Sequence, residues 1–387
     1  MKVSKLCLTL VGSMAALISS SSVSAQYVSN VIATGLNNPR GLAFAPDGSL
    51  YIAEAGVYTP GGPSTVARNQ TFFFSNTGSI TRYFEGTQTL FLTGLASVSS
   101  PTETSGPADI AFSTSGTAYF ISGLGLNPSV RSTDLGPSGF QLGQLYTFTS
   151  SGISVVADIS AFEAANNPLG GAVDSNPFHI ASSPSGIVVT DAGSNTLLLV
   201  DATNAVSLLT PFPGRSLGPP FPSDSVPTGV AVAFDGSFYV GELTGFPFTP
   251  GAARVYQISS VGTIQSFISG LTNITDLAIG PDGLLYVLQL DTNGLAQPGG
   301  TGALLRINAD GSRDTLFTNL VTPTGLAIGP DNAFYVTNFS AASGIGQVLR
   351  ISAVPEASTW AMMLLGFGAT GVALRRRRRT QSLLQTA

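Results

Sequence analysis

Gly41-Leu42-Ala43-Phe44-Ala45-Pro46-Asp47-Gly48-Ser49-Leu50-Tyr51-Ile52 is the stretch that decides the fold. An apolar run ends in Pro-Asp-Gly and is answered by a second apolar, aromatic run. Proline presets φ, the aspartate side chain bonds to backbone two residues on, and glycine accepts positive φ, so the middle is a tight turn. The flanking runs are too short for helices and rich in strand-forming residues, so they read as two antiparallel strands. Neither run alternates cleanly, as expected when both faces of a strand are covered.

The unit recurs. Aligned on the residue before the first strand, its copies begin at Pro39, Pro107, Pro177, Pro227, Ile274 and Pro323. Two residues on stand Gly41, Asp109, His179, Gly229, Asp276 and Gly325, then an aliphatic residue, then alanine every time: Ala43, Ala111, Ala181, Ala231, Ala278 and Ala327. Alanine in register six times implies a strand crowded near a central axis, with room for a methyl and little else. The turn follows as Pro46-Asp47-Gly48, Thr114-Ser115-Gly116, Pro184-Ser185-Gly186, Phe234-Asp235-Gly236, Pro281-Asp282-Gly283 and Pro330-Asp331-Asn332. Third strands run near 80–83, 144–147, 197–200, 254–257, 304–307 and 348–351, and most units add a fourth, such as 89–92 and 264–267. Four strands per unit and six units predict an all-β protein, a six-bladed β-propeller. The sixth unit stops after its third strand, and residues 28–36 match the fourth-strand endings of other units. The N-terminal strand is therefore expected to complete the last blade and close the ring against 348–351, removing an exposed edge.

On these repeats the chain resembles NHL-type propellers, which carry a Pro-x-Gly-Leu-Ala-x-x-Pro-Asp-Gly-x-Leu-Tyr-Val pattern. More closely it is similar to the ScyD/ScyE family, secreted propellers named from a cyanobacterial pigment cluster. The resemblance spans the mature body and rests on structural motifs; it implies a secreted binding module or pathway helper and no established reaction.

The two ends read as addresses. Lys2 and Lys5 precede the apolar run 6–18, and Val23-Ser24-Ala25 suits signal peptidase, so residues 1–25 are expected to be a signal peptide. At the other end, Val354-Pro355-Glu356, an apolar stretch over 357–374 and arginines at 375–379 resemble a PEP-CTERM sorting signal, although Ala357 stands where that pattern carries proline. The resemblance implies an exosortase partner, and a transmembrane segment over 357–374 held by the arginines on the cytoplasmic side. The expected division is thus signal peptide 1–25, propeller 26–353 and sorting tail 354–387. The body would lie outside the cytoplasmic membrane, secreted or at the cell surface, in contact with membrane only through its tail.

Between those ends the chain has nine arginines, no lysine and 20 acidic residues, a net −11. That balance argues against nucleic acid and anionic membrane surfaces. The lone cysteine, Cys7, falls in the leader, so disulfides, thiolate metal sites and cysteine nucleophiles are excluded from the body. The lone histidine, His179, excludes a histidine dyad and multi-histidine zinc sites.

Loops of irregular composition (57–78, 123–142, 159–176, 210–226, 243–252 and 290–301) all fall on one face, the side where chains enter first strands and leave second ones. Variable loops on a rigid scaffold are where binding usually sits. Polar residues at strand ends on that side are the candidates for ligand binding: Glu54, Asp191, Glu242 and Asn338 closing second strands, with Asp109, His179 and Asp276 entering first strands. If they converge on the channel mouth, Glu54, Asp191, Glu242 and Asn338 would supply the hard oxygens that Ca²⁺ takes, in an arrangement that resembles the calcium-dependent lactonase propellers, with His179 as base. The alternative is that these groups cap backbone. Aromatic segments (Pro211-Phe212-Pro213, Pro219-Pro220-Phe221-Pro222, Phe246-Pro247-Phe248) would either line a rim for a polysaccharide or small apolar ligand, or bury their own rings. Two functions follow: an extracellular binding or scaffold module, or a Ca²⁺-dependent hydrolase or lyase.

Overall fold

A computed structural model describes residues 26–217 and 222–354; the expected signal peptide and nearly all of the sorting tail lie outside the described residues. Residues Tyr27–Val354 form one compact unit, a ring of six antiparallel sheets. Blade 1 begins with Pro39–Phe44 and Leu50–Glu54, and blade 2 with Pro107–Phe112 and Ala118–Ser122. Blades 3, 4 and 5 begin with Pro177–Ser183, Pro227–Val232 and Ile274–Ile279, and blade 6 with Leu326–Ile328. Each starting strand pairs with the one after it, and the sheet then steps outward strand by strand.

Closure follows the expected route. Strand Tyr27–Leu36 pairs antiparallel with Gly346–Ala353, in a register that sets Tyr27 opposite Ala353, Val31 opposite Leu349 and Leu36 opposite Gly346. Blade 6 is thereby four-stranded, three strands from the end of the chain and one from its beginning.

The inner turns form as their composition dictates. Asp47 Oδ1 accepts from the Ser49 amide (2.9 Å), and Asp235 Oδ1 from the Ser237 amide (2.9 Å). Asn332 adopts φ 59° in the place where the five other turns carry glycine, the left-handed conformation that asparagine tolerates.

The core lies between blades. The aliphatic residue of each first strand packs toward the preceding blade: Ile180 joins a cluster with Ile121 and Leu145 of blade 2, and Leu326 one with Leu288 and Leu304 of blade 5. The alanine packs toward the following blade, as Ala181 does against Val230 and Val240, and Ala327 against Leu42 and Ile52. The recurrent alanine is therefore small because a neighbouring blade's aliphatic residues crowd it. The axis itself is governed by the residue two positions earlier.

The loop face is more structured than its composition implied. Blade 1's third and fourth strands run far beyond the expected 80–83 and 89–92, as Gln70–Phe84 and Thr87–Ser99, and Ser64–Ala67 pairs alongside. Loop 123–142 holds a short helix, Val130–Thr133, and a 3₁₀ turn, Pro137–Gln141. Loop 159–176 holds helix Ile159–Asn166, capped by Asp158, which accepts from the Ala161 amide (2.9 Å). Buried Phe72, Phe74, Leu124, Leu126, Leu135 and Leu142 join the first two blades' excursions into a satellite core.

Leu36 is 1% exposed and belongs to the cluster joining blades 6 and 1. Leu36→Ala should cost about 2–5 kcal/mol, as for other fully buried leucines, measured by equilibrium denaturation. Val31→Ala, on the same strand but 50% exposed, should change stability by less than about 0.5 kcal/mol.

Candidate functional site at the channel mouth

Six first strands converge on the axis, and their third residues form a ring of Gly41, Asp109, His179, Gly229, Asp276 and Gly325. Only three carry functional groups, and those three meet. His179 Nδ1 lies 3.0 Å from Asp109 Oδ2 and 3.6 Å from Asp276 Oδ1. All three side chains are buried. The glycines make this possible. A Cβ on Gly41 would fall 1.9 Å from Asp109 Oδ1, one on Gly229 2.5 Å from the Asp276 Cα, and one on Gly325 2.9 Å from the Gly41 Cα.

Each carboxylate also crosses to the next blade. Asp109 Oδ2 accepts from the Ile180 amide (2.9 Å), and Asp276 Oδ2 from the Leu326 amide (2.6 Å). Threonines carry the same role elsewhere around the ring. Thr228 Oγ1 donates to the Ile274 carbonyl (2.7 Å), Thr275 Oγ1 to Pro323 (3.1 Å) and Thr324 Oγ1 to Pro39 (3.0 Å). Thr190 Oγ1 donates to the Thr228 carbonyl, and Arg40 to the Thr104 carbonyl (2.9 Å), which ties blade 1 to the entry of blade 2.

Burial alone would lower the His179 pKa, but the Asp276 and Asp109 carboxylates outweigh it and, with the Thr324 backbone, raise it to about 9. Burial pushes Asp276 up to about 7, against the pull of His179. The imidazole is thus held as a cation between two acids and seals the axis. It is a buried ion cluster without an open side for substrate, so the expected role of His179 as a base at the mouth has no geometric support.

The four residues expected to ligate calcium are each engaged within their own blade. Glu54 accepts from the Asn37 amide (2.7 Å) and the Thr81 hydroxyl (2.6 Å). Asp191 Oδ1 accepts from the amides of Asn176 (2.6 Å), Gly193 (3.0 Å) and Ser194 (3.1 Å), and its Oδ2 from the Ser175 hydroxyl (2.6 Å). Burial raises the Asp191 pKa to about 6 despite these bonds. Glu242 holds an ion pair with Arg215 and accepts from Ser225 (2.7 Å) and Tyr256 (3.1 Å), with burial again raising its pKa. Asn338 Oδ1 accepts from the Val321 amide (2.7 Å), and Gln289 repeats the motif on Thr272 (2.8 Å). The recurring polar residue at the end of the second strand thus secures the segment that enters the first strand of the same blade. Among the described residues no three acidic, histidine or cysteine side chains gather as a metal-ligand set. The donors fit capping and do not fit a calcium ion.

A cavity of about 260 Å³ opens on the loop face, lined from blades 1, 2, 3 and 6. Arg40, Glu103, Gly106, Asn176, Phe178 and Ala341 are among its lining. Arg40, Ala108 and Phe178 occupy the position immediately before the sealed ring, so the cavity stands directly outside it. Sequence reading missed Arg40 and Phe178. The signal was there: in the six-fold register that position reads Arg40, Ala108, Phe178, Thr228, Thr275 and Thr324, and only one of these is charged. Of the aromatic segments, Phe212 is buried against Tyr256, whereas Phe246 is 68% exposed; 218–221 lies outside the described residues.

Because His179 ordinarily titrates near 6.5 and here near 9, the native state holds this proton more tightly than the unfolded chain. The resulting stabilisation is complete below about pH 6.5 and lost as pH rises through about 9. The melting temperature should therefore fall between pH 7 and pH 10. His179→Gln should be destabilised by about 3–5 kcal/mol at pH 7, since it leaves buried carboxylates unpaired, and should lose most of that pH dependence.

Comparisons with known proteins bear on the two parts separately. Residues 353–378 match the PEP-CTERM protein-sorting motif, which marks the chain for exosortase processing and export, with membrane association through the C-terminal tail. No curated protein matches the sequence. Among solved structures, the chain is similar to a Bacteroides thetaiotaomicron protein of unknown function (11% identity, 85% of this chain and 77% of that one, TM-score 0.53). It is also similar to a gluconolactonase from Xanthomonas campestris (10% identity, 84% and 89%, TM-score 0.50). A PQQ-bound aldose sugar dehydrogenase from Streptomyces coelicolor gives 13% identity over 85% and 99%, with a TM-score of 0.50. At these identities the likeness shows the fold: this chain is a six-bladed β-propeller carrying a PEP-CTERM sorting motif.

Proposed function

We propose that this protein is a surface-displayed binding module of the extracellular matrix, with its ligand site on the loop face of the propeller. The observation that carries this reading is the division of labour among polar groups. The carboxylates suited to metal catalysis are consumed by capping and by the axial ion cluster, while an open cavity remains on the loop face just outside that cluster. A rigid ring whose irregular loops collect on one face is the usual architecture for recognition. Export by way of the sorting motif is consistent with that face meeting extracellular polymers, and a polysaccharide is the ligand class that we favour. The resemblance of the repeats to the ScyD/ScyE propellers, a family that implies no established reaction, agrees with a secreted binding role. Signal peptidase acting after Ala25 and exosortase acting on the tail are the processing partners of this scheme.

The test uses residues 26–354, whose ring closes on itself through the first and last strands. This body should bind the extracellular polysaccharide fraction of its producing organism saturably. Asn176→Trp, which fills the cavity, should weaken binding at least tenfold, and Asp235→Ala, in a turn on the opposite face, should leave it unchanged. Lactone hydrolysis that depends on added calcium, without saturable polymer binding, would reverse the reading in favour of a hydrolase.

A further inference from the structure

Arg40 is anomalous among the nine arginines of the body. Six of them make ion pairs: Arg68, Arg82, Arg131, Arg215, Arg306 and Arg350. Arg254 lies over the Phe267 ring, and Arg313 is an exposed residue bonded to backbone carbonyls. Arg40 is half-buried in the lining of the cavity, and no carboxylate among the described residues lies within ion-pair distance of it. Burial pulls its pKa down to about 10, the mark of a desolvated cation with too little compensation, though it remains charged at neutral pH. The Thr104 carbonyl takes a hydrogen bond from one terminal nitrogen. A guanidinium has five donors in a planar fork suited to a carboxylate.

Phe178, half-buried, lines the same cavity, its ring 5.2 Å from that of His179. An aromatic wall beside a cation fits a ligand with a flat or ring-shaped apolar face next to its charge. The volume, about 260 Å³, is below the range typical for drug-sized ligands and suits a single ring bearing one small substituent. Glu103 also lines the cavity, but its carboxylate is held by Arg68 at 2.7 Å.

We infer that the cavity is a carboxylate-binding subsite, in which Arg40 grips the acid group and Phe178 packs against the ring that carries it, and that its ligand is an acidic sugar unit. This inference rests on the reading of the loop face as a ligand site and assigns the chemistry recognised there. It accounts for an otherwise uncompensated charge in a body of net −11: one desolvated guanidinium selects anions locally, while the surrounding acidity repels highly charged polyanions.

Isothermal titration of residues 26–354 with glucuronate, glucose and acetate tests it. Glucuronate should bind measurably and more tightly than either glucose, which lacks the acid, or acetate, which lacks the ring. Arg40→Gln should weaken glucuronate about tenfold to a hundredfold, and Phe178→Ala should bring glucuronate toward acetate. Glu103→Gln, at an exposed position, should tighten glucuronate and serves as a gain-of-affinity control. Equal binding of glucose would overturn the carboxylate assignment, and equal binding of acetate would overturn the ring contact. If none of the three binds while the matrix polysaccharide still does, the subsite chemistry is wrong and the binding module stands. If the polysaccharide also fails to bind, both fall.

Discussion

Six strands cannot each bring a side chain to one axis, and the protein resolves this by giving three of the six positions no side chain. Gly41, Gly229 and Gly325 let their blades approach until a single Cβ would collide with a neighbour. The space so gained holds Asp109, His179 and Asp276, whose carboxylates reach past the imidazole to amides on the following blades. Inter-blade contact at the centre is thus polar and directional, and further out it is apolar, with aliphatic residues of one blade set against the alanine of another. A buried ion pair is weak support for stability in itself, because desolvation offsets much of the attraction. Its value here is positional: it holds the first strands of neighbouring and non-neighbouring blades at fixed spacing around the axis.

That arrangement explains how much was legible in the sequence. Repeats, turns and ring closure are local or periodic properties, and the alignment that found six alanines also gave the right strand order and the latch of 27–36 onto 346–353. The polar candidates were found as residues but not as roles. Glu54, Asp191, Glu242 and Asn338 occupy equivalent positions, and equivalence was read as convergence on a common ligand. In the folded ring each turns to the amides or hydroxyls of its own blade. Six-fold repetition makes structural caps look like a constellation. The open cavity has the opposite property: it breaks the symmetry, being confined to the neighbourhood of blades 1, 2, 3 and 6.

Arg40 shows how far pattern reading reaches: the register singles it out as a charge, but not as an unpaired one. Nothing in Pro39-Arg40-Gly41 marks the arginine as unpaired, because pairing depends on what two long loops bring nearby. Glu103 is close enough to share its cavity, yet it is taken by Arg68, which reaches from the hairpin after blade 1's second strand. The excursions 64–84 and 87–105 thus do two things at once. They bury a satellite apolar core, and they sequester the acid that would have neutralised the cavity.

The latch has a consequence for the order of events in export. The strand that emerges first, Tyr27–Leu36, finds its partner only in Gly346–Ala353, at the far end of the body. Blade 6 therefore cannot be completed until the last strand of the body is available to the first. The strand that shuts the circle ends where the match to the sorting motif begins, at residue 353. Closure of the ring therefore reports that the whole body, from its first strand to its last, is present.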